Sequence, residues 1–391
     1  MIRGILEINL NLLAANVAKI RKALPPKMRF LAAIKTDAYG MGLEKIASFL
    51  GNRKNPLVDG FAILNVQEAL EIRFLNVDLP IYILSPVLKD ELEDLCQAKA
   101  IPLISSVEEA DMLQCFAREK QYVQPIHVKI DTGMGRLGVW FDAVDTFFKY
   151  IHGCDHLKVC GLATHFSSVV SDAVFTQLQL ERFLKIAQKY GETDWINHAS
   201  SSLGIDRFIE GTNAVRIGAL CYGIPEDNAI VKQLGLESIV RLSSPVTLVK
   251  YVPAGTKVGY EQTHCLERDT KIAIVSLGYA DGIPITLTNL GEVLIRGQRC
   301  KIIGRVSMDQ VTIDVTNLKN VVVSDEAVFF GKQESEEIPF YEFAQKAQLL
   351  MRAAYLPSFS ERRIVRRYIP EIFSEDCSSG AKNYQSFFLP L

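Results

Sequence analysis

From about residue 29 to residue 223 the chain repeats one pattern eight times: a short apolar run, then a longer amphipathic stretch. A parallel strand covered on both faces must be apolar throughout, and the helix that returns the chain needs only one apolar face. The runs fall at 29–35, 60–64, 81–85, 102–105, 126–131, 159–164, 195–197 and 214–217. Between them, residues 66–73 and 178–187 place apolar side chains three and four apart, as helices do. Eight strands with intervening helices is the number that closes a (β/α)8 barrel.

After Gly223 the texture changes. Runs at 245–252, 270–276, 292–297 and 310–315 read as strands, with turns at Pro253-Ala254-Gly255 and Arg296-Gly297. The expected fold is therefore α/β: a TIM-type barrel over 8–230, followed by a mostly antiparallel β domain over 231–371. Residues 1–7 are free to join the second domain, and 372–391 reads as a mobile tail. Two domains also suit a chain of 391 residues.

Charge and composition narrow the class of function. A formal net charge of -2 leaves no electrostatic footprint for nucleic acid or an anionic membrane. No run approaches the roughly 20 apolar residues of a membrane span, and Glu7 interrupts the apolar stretch a signal peptide would need. The eight cysteines, at 96, 115, 154, 160, 221, 265, 300 and 377, include no C-x-x-C pair. The six histidines form no H-E-x-x-H motif. The expectation is no metal, no disulfide framework, and reduced thiols in a cytoplasm.

Barrel enzymes gather their chemistry at the carboxyl ends of the strands, and polar residues concentrate there in this chain. Lys35 ends the first run, ahead of Tyr39-Gly40-Met41-Gly42, which reads as the turn that opens a helix. Desolvation at a strand end favours a neutral lysine amine, the form able to make a Schiff base. The plain alternative is a lysine stem that snorkels outward. Lys129 to Arg136 follow the fifth run, and His165 closes the sixth. Ser200, Ser201 and Ser202 follow the seventh, and Arg216 lies in the eighth just before Gly218. Loops after strands seven and eight commonly hold phosphate, a task that suits Ser202 and the amides of Gly218 and Ala219. A lysine, a phosphate cradle and a buried arginine together suggest pyridoxal 5'-phosphate. Each residue alone has a plainer reading: Asp131-Thr132-Gly133 as a strand-end turn, His165 as a structural histidine, Lys129 as a solvated strand residue, Tyr279 as turn packing and Asp309 as a turn cap.

Six segments read together resemble alanine racemases, in the family's order and over nearly the whole chain. They are Ile-Lys-Thr-Asp-Ala-Tyr-Gly at 34–40, 129–138, Thr-His-Phe at 164–166, Val-Arg-Ile-Gly at 215–218, Gly-Tyr-Ala-Asp-Gly at 278–282 and Gly-Arg-Val-Ser-Met-Asp-Gln at 304–310. The resemblance implies a pyridoxal-phosphate enzyme that interconverts L-alanine and D-alanine and supplies D-alanine to the bacterial cell wall. Lys35 would carry the cofactor, Tyr39, Ser202, Gly218 and Ala219 would hold its phosphate, and Arg216 would face its ring nitrogen. Arginine cannot accept a proton, so that nitrogen stays largely unprotonated and the cofactor is a weaker electron sink. This suits racemisation better than decarboxylation. Lys35 and Tyr279 would be the acid–base pair on opposite faces, Tyr279 reaching in from a partner subunit through a Tyr279–His165–Arg216 chain. The implied active unit is thus a homodimer with shared sites. Arg136 and the amide of Met308 would hold the substrate carboxylate, and Lys129, a candidate for carbamylation, would steady Arg136.

The chain departs from the family at Ile217, where proline is usual, and at Ser201, where asparagine is usual. Ile283-Pro284-Ile285 stands where an aromatic and soon an arginine are expected. The closing segment 360–368 lacks the phosphate-contacting tyrosine expected near Glu361. Two alternatives remain: a serine or broad-specificity racemase of the same fold, and a non-catalytic pyridoxal-phosphate-binding protein. The second domain and Tyr279 speak against the latter.

Overall fold

The computed structural model describes residues 2–224, 228–349, 358–359 and 363–370. The tail expected at 372–391, the departure near Glu361 and Cys377 lie outside the described residues.

The eight runs form eight parallel strands: β1 Arg29–Ala33, β2 Gly60–Ile63, β3 Ile81–Ile83, β4 Ile101–Ile104, β5 Gln124–Asp131, β6 Leu157–Ala163, β7 Ile196–Ser201 and β8 Ala214–Ile217. They pair in the order β4-β3-β2-β1-β8-β7-β6-β5, and pairing of β4 with β5 closes the barrel. Side chains alternate along each strand. Phe30, Ala32, Ile81 and Ile83 join the large core under the helices, whereas Leu31 and Tyr82 join Leu103, Ala163, Ile196 and Ala214 in a separate buried cluster. Both faces of each strand are thus buried, which is why the runs are apolar throughout. The two helical stretches read from spacing are the helices Val66–Phe74 and Ala173–Tyr190.

The second domain is a mostly antiparallel sheet around the long strand β9, Val240–Val252. Thr270–Val275 and Glu326–Gln333 both pair antiparallel with β9. The N-terminal strand Gly4–Asn9 also pairs antiparallel with β9, and on its other edge it pairs parallel with β10, Ile364–Ile369. Asn9 ends that strand and caps the next helix, Leu10–Ala23, its side chain accepting from Leu12 N at 3.0 Å. That helix buries Leu10, Leu13, Val17 and Ile20 on one face, so a single residue redirects the chain from the second sheet into the barrel. No helix among the described residues is long and apolar enough to cross a membrane.

Candidate active site

Beyond β1 the backbone takes a left-handed turn. Thr36, Asp37, Ala38 and Tyr39 all have φ between 53° and 59°. Residues with a Cβ pay about 1–2 kcal/mol each for this conformation, so neighbours must hold it in place. The Glu68 carboxylate accepts from Asp37 N at 3.2 Å and Leu64 N at 2.8 Å. The Asp37 carboxylate accepts from Leu43 N at 2.7 Å and pairs with Arg366 at 2.5 Å. The Tyr368 hydroxyl donates to Met41 O at 2.8 Å. The turn sends Tyr39 back toward β8, where its ring meets the edge of Tyr222 at 5.8 Å. Its hydroxyl stands where a Cβ on residue 218 would be, so only glycine fits there. Gly218 N donates to Ser202 Oγ at 3.1 Å, and Ala219 opens the short turn Ala219–Tyr222 beside them. The expected phosphate-binding residues therefore meet in one place.

Arg216, only 5% exposed, is the hub of the barrel interior. Its Nη1 donates to His198 O at 3.0 Å and to His198 Nδ1 at 2.5 Å. Its Nη2 donates to Thr164 O at 2.8 Å, Ala199 O at 2.9 Å and His165 Nδ1 at 3.1 Å. Nε alone has no acceptor among the described residues. Burial pulls the guanidinium down to about 10, which leaves it charged at neutral pH. Burial, and then the charge of Arg216, push His165 and His198 well below the usual histidine range. Arginine only donates, so each Nδ1 accepts and each histidine carries its proton on Nε2, an assignment made from the bonding network. His198 then donates to His127 Nδ1 at 2.9 Å, which leaves the His127 proton on a buried Nε2 without a partner. His127 is held down to about 3, by burial first and Arg216 second. His127 and His198 were not among the expected residues. The available signal was spacing, since His127 lies two residues before Lys129 on β5 and so shares its face.

Lys35 is held below its usual range by burial and then by the charge of Arg136, with Glu68 opposing. Lys129 is driven further down by burial, Arg216 and Arg136. Arg136 sits in a loop built by Asp131, whose carboxylate accepts the amides of Gly133, Met134, Gly135 and Arg136 at 2.8–3.1 Å. Burial would raise the Asp131 carboxyl, but those four donors outweigh it and hold it low. Asp131 is thus a turn builder that places Arg136.

Tyr279 and Met308 lie in the second domain. Tyr279 N donates to Ser307 O and Ala280 N to Met308 O, each at 3.0 Å. Arg363 pairs with Asp281 at 3.3 Å and with Asp309 at 2.5 Å, which braces the same turn. Tyr279 and Met308 are 42% and 53% exposed, and among the described residues neither side chain bonds to the barrel. Within one chain the structure therefore gathers Lys35, Tyr39, Lys129, Arg136, His165, Ser202, Arg216, Gly218 and Ala219, and among the described residues no hydrogen bond joins the side chain of Tyr279 or Met308 to them. Of the expected Tyr279–His165–Arg216 chain it contains the His165–Arg216 bond alone.

Comparisons with known proteins agree with this architecture. Residues 8–226 match the family model for the alanine racemase N-terminal domain, and 239–368 that for the alanine racemase C-terminal domain. An alanine racemase of Halothermothrix orenii is 33% identical over 349 residues, which is 88% of this chain and 91% of that one. The structure of an alanine racemase from Clostridium difficile 630 superposes with a TM-score of 0.85 at 27% identity, covering 94% and 96% of the two chains. That of the Bartonella henselae alanine racemase with covalently bound pyridoxal phosphate has the same fold, with a TM-score of 0.82 at 24% identity over 94% of this chain and 100% of that one.

Proposed function

The chain belongs to the alanine racemase family, and from that premise we infer that it interconverts L-alanine and D-alanine with pyridoxal 5'-phosphate as cofactor. The observation that carries this reading is the meeting of Tyr39, Ser202 and Gly218 beside Lys35, in a cradle that a Cβ at 218 would fill. The open Nε–H of Arg216 fits the cofactor's ring nitrogen. When bound, the cofactor draws electrons from the substrate's Cα and so weakens its C–H bond.

The protein's own groups do the rest. Lys35, its amine biased toward the neutral form, would anchor the cofactor and would take or return the substrate's Cα proton on one face. Tyr279 from a partner subunit serves the other face. His165 has committed Nδ1 to Arg216, so its Nε2–H is left to donate to the incoming phenol oxygen, which favours the phenolate. Arg136 and the Met308 amide hold the substrate carboxylate. Lys129, a buried amine between two arginines, suits carbamylation, since the carbamate's negative charge would match Arg136 and Arg216.

On this reading the barrel, 8–230, binds the cofactor and 231–371 supplies Tyr279 to the second copy of a homodimer. The exposure of Tyr279 and Met308 supports that arrangement. The seven free thiols among the described residues support a cytoplasmic setting. Racemisation of L-alanine, serine and lysine, each with and without added cofactor, tests the assignment, and a clear preference for a larger amino acid would overturn alanine as substrate. Mixing Lys35→Ala with Tyr279→Phe subunits tests the shared site: partial recovery of activity is expected, and inactive mixtures would rule it out.

A further inference from the structure

The left-handed turn that bears Lys35 and Tyr39 is fastened from the second domain, and we propose that Asp37, Arg366 and Tyr368 are positioning residues for the phosphate cradle. β10 lies in the second sheet beside Gly4–Asn9. Arg366 and Tyr368 stand two apart on it and therefore on one face. Arg366 pairs with Asp37 Oδ2 at 2.5 Å, and the Tyr368 hydroxyl donates to Met41 O at 2.8 Å across 327 residues of sequence. These contacts hold the turn on both sides of Tyr39. Gly42, with φ +90°, passes so close that a Cβ on it would collide with the Tyr368 hydroxyl. Asp37 also ties the turn to the helix Leu43–Leu50 through Leu43 N, and Glu68 holds Asp37 N from the barrel side.

Tyr39 lies between the fastened points, at Asp37 and Met41. They act through Tyr39. A turn of four left-handed residues relaxes toward ordinary dihedrals once its restraints go, and that movement carries the Tyr39 hydroxyl away from Gly218. The inference rests on the proposed role of Tyr39, Ser202 and Gly218 as the phosphate site.

The test uses Arg366→Met, Arg366→Lys and Tyr368→Phe in the full-length protein. In cofactor-free protein, amide hydrogen exchange over residues 36–42 should speed up roughly tenfold in Arg366→Met and Tyr368→Phe, and return toward native in Arg366→Lys. Affinity for pyridoxal 5'-phosphate should fall roughly three- to tenfold in Arg366→Met, while affinity for pyridoxal, which lacks the phosphate, should change less than about twofold. A loss of structure alone would weaken both ligands together. Native exchange in the folded variants, or equal loss for the two ligands, overturns the proposal. If Arg366→Met fails to fold, Tyr368→Phe, which removes one oxygen, carries both comparisons. A native protein that binds neither ligand would sink the cofactor reading instead, and the exchange measurement would still decide whether the second domain holds the turn.

Discussion

Replacing Gly218 by alanine puts a methyl group into the space of the Tyr39 hydroxyl, and the contacts set the size of the effect. The new Cβ would lie 2.9 Å from Tyr39 Cζ and 3.0 Å from Cε2, well inside the roughly 3.5–4.0 Å at which carbons pack. The whole ring must therefore move by about 1 Å. On the proposed role of Tyr39, a displaced ring would give up a hydrogen bond to the phosphate, and bonds to charged groups contribute about 1.5–3 kcal/mol. Affinity for pyridoxal 5'-phosphate should fall roughly 10- to 150-fold. The residue 218 amide keeps its bond to Ser202, so the strand end after β8 stays tied on that side. Titrating cofactor-free protein and following the visible absorption band gives the affinity, with a thermal midpoint as the control for folding. Because the loss runs through the tyrosine, Gly218→Ala should cost little in a Tyr39→Ala background. An affinity within twofold of native, or the same loss with and without Tyr39, would refute the reasoning.

Thr36 is exposed and sits at φ 56°, ψ 57°. Thr36→Gly should relieve about 1–2 kcal/mol of strain against about 0.5–1 kcal/mol of added chain entropy, raising the thermal midpoint by up to about 3 °C; calorimetry showing a fall instead would mean the turn is unstrained. His127, His165 and His198 all have folded-state values below that of a free histidine, so the unfolded chain binds their protons first as pH falls. Their contribution is complete above about pH 6.5 and is lost below it, by about 1.4 kcal/mol per histidine per pH unit. Thermal midpoints measured from pH 7.5 to 5 should therefore decline, and decline less steeply in His127→Phe; a flat profile would mean these histidines are not held neutral.

The barrel was legible because its strands are buried on both faces, which writes eight apolar runs into the sequence. β7 was cut short at residue 197 for the converse reason. Its continuation, His198-Ala199-Ser200-Ser201, is rich in polar groups because it lines the surroundings of Arg216, and polarity there reads as loop. Lys35 was legible from its place at a strand end. The left-handed turn was not, since 36–39 contains no glycine and its support comes from Glu68, Arg366 and Tyr368, far away in sequence. Glu68 stands in the first turn of a helix capped by Asn65, a place where an acid is common, and nothing in that position points to the turn it supports. Tyr279 and Met308 were read from motif alone. On the proposed function their place in the chemistry depends on a second subunit, and nothing in the order of residues along one chain sets their distance from the barrel.

The pairing of Gly4–Asn9 with β10 has a consequence for biosynthesis. At about 5–20 residues per second a ribosome needs on the order of 20–80 s to make this chain. Gly4–Asn9 waits through more than half of that time for β9 and through nearly all of it for β10. The barrel strands emerge complete long before, yet the turn at 36–42 gains Arg366 and Tyr368 only after those residues have been made. If these contacts fasten the phosphate cradle as proposed, a nascent chain would hold cofactor tightly only after residues 366 and 368 have been made and have folded against the turn. Messages truncated before residue 366 should for the same reason yield barrels that bind the cofactor poorly.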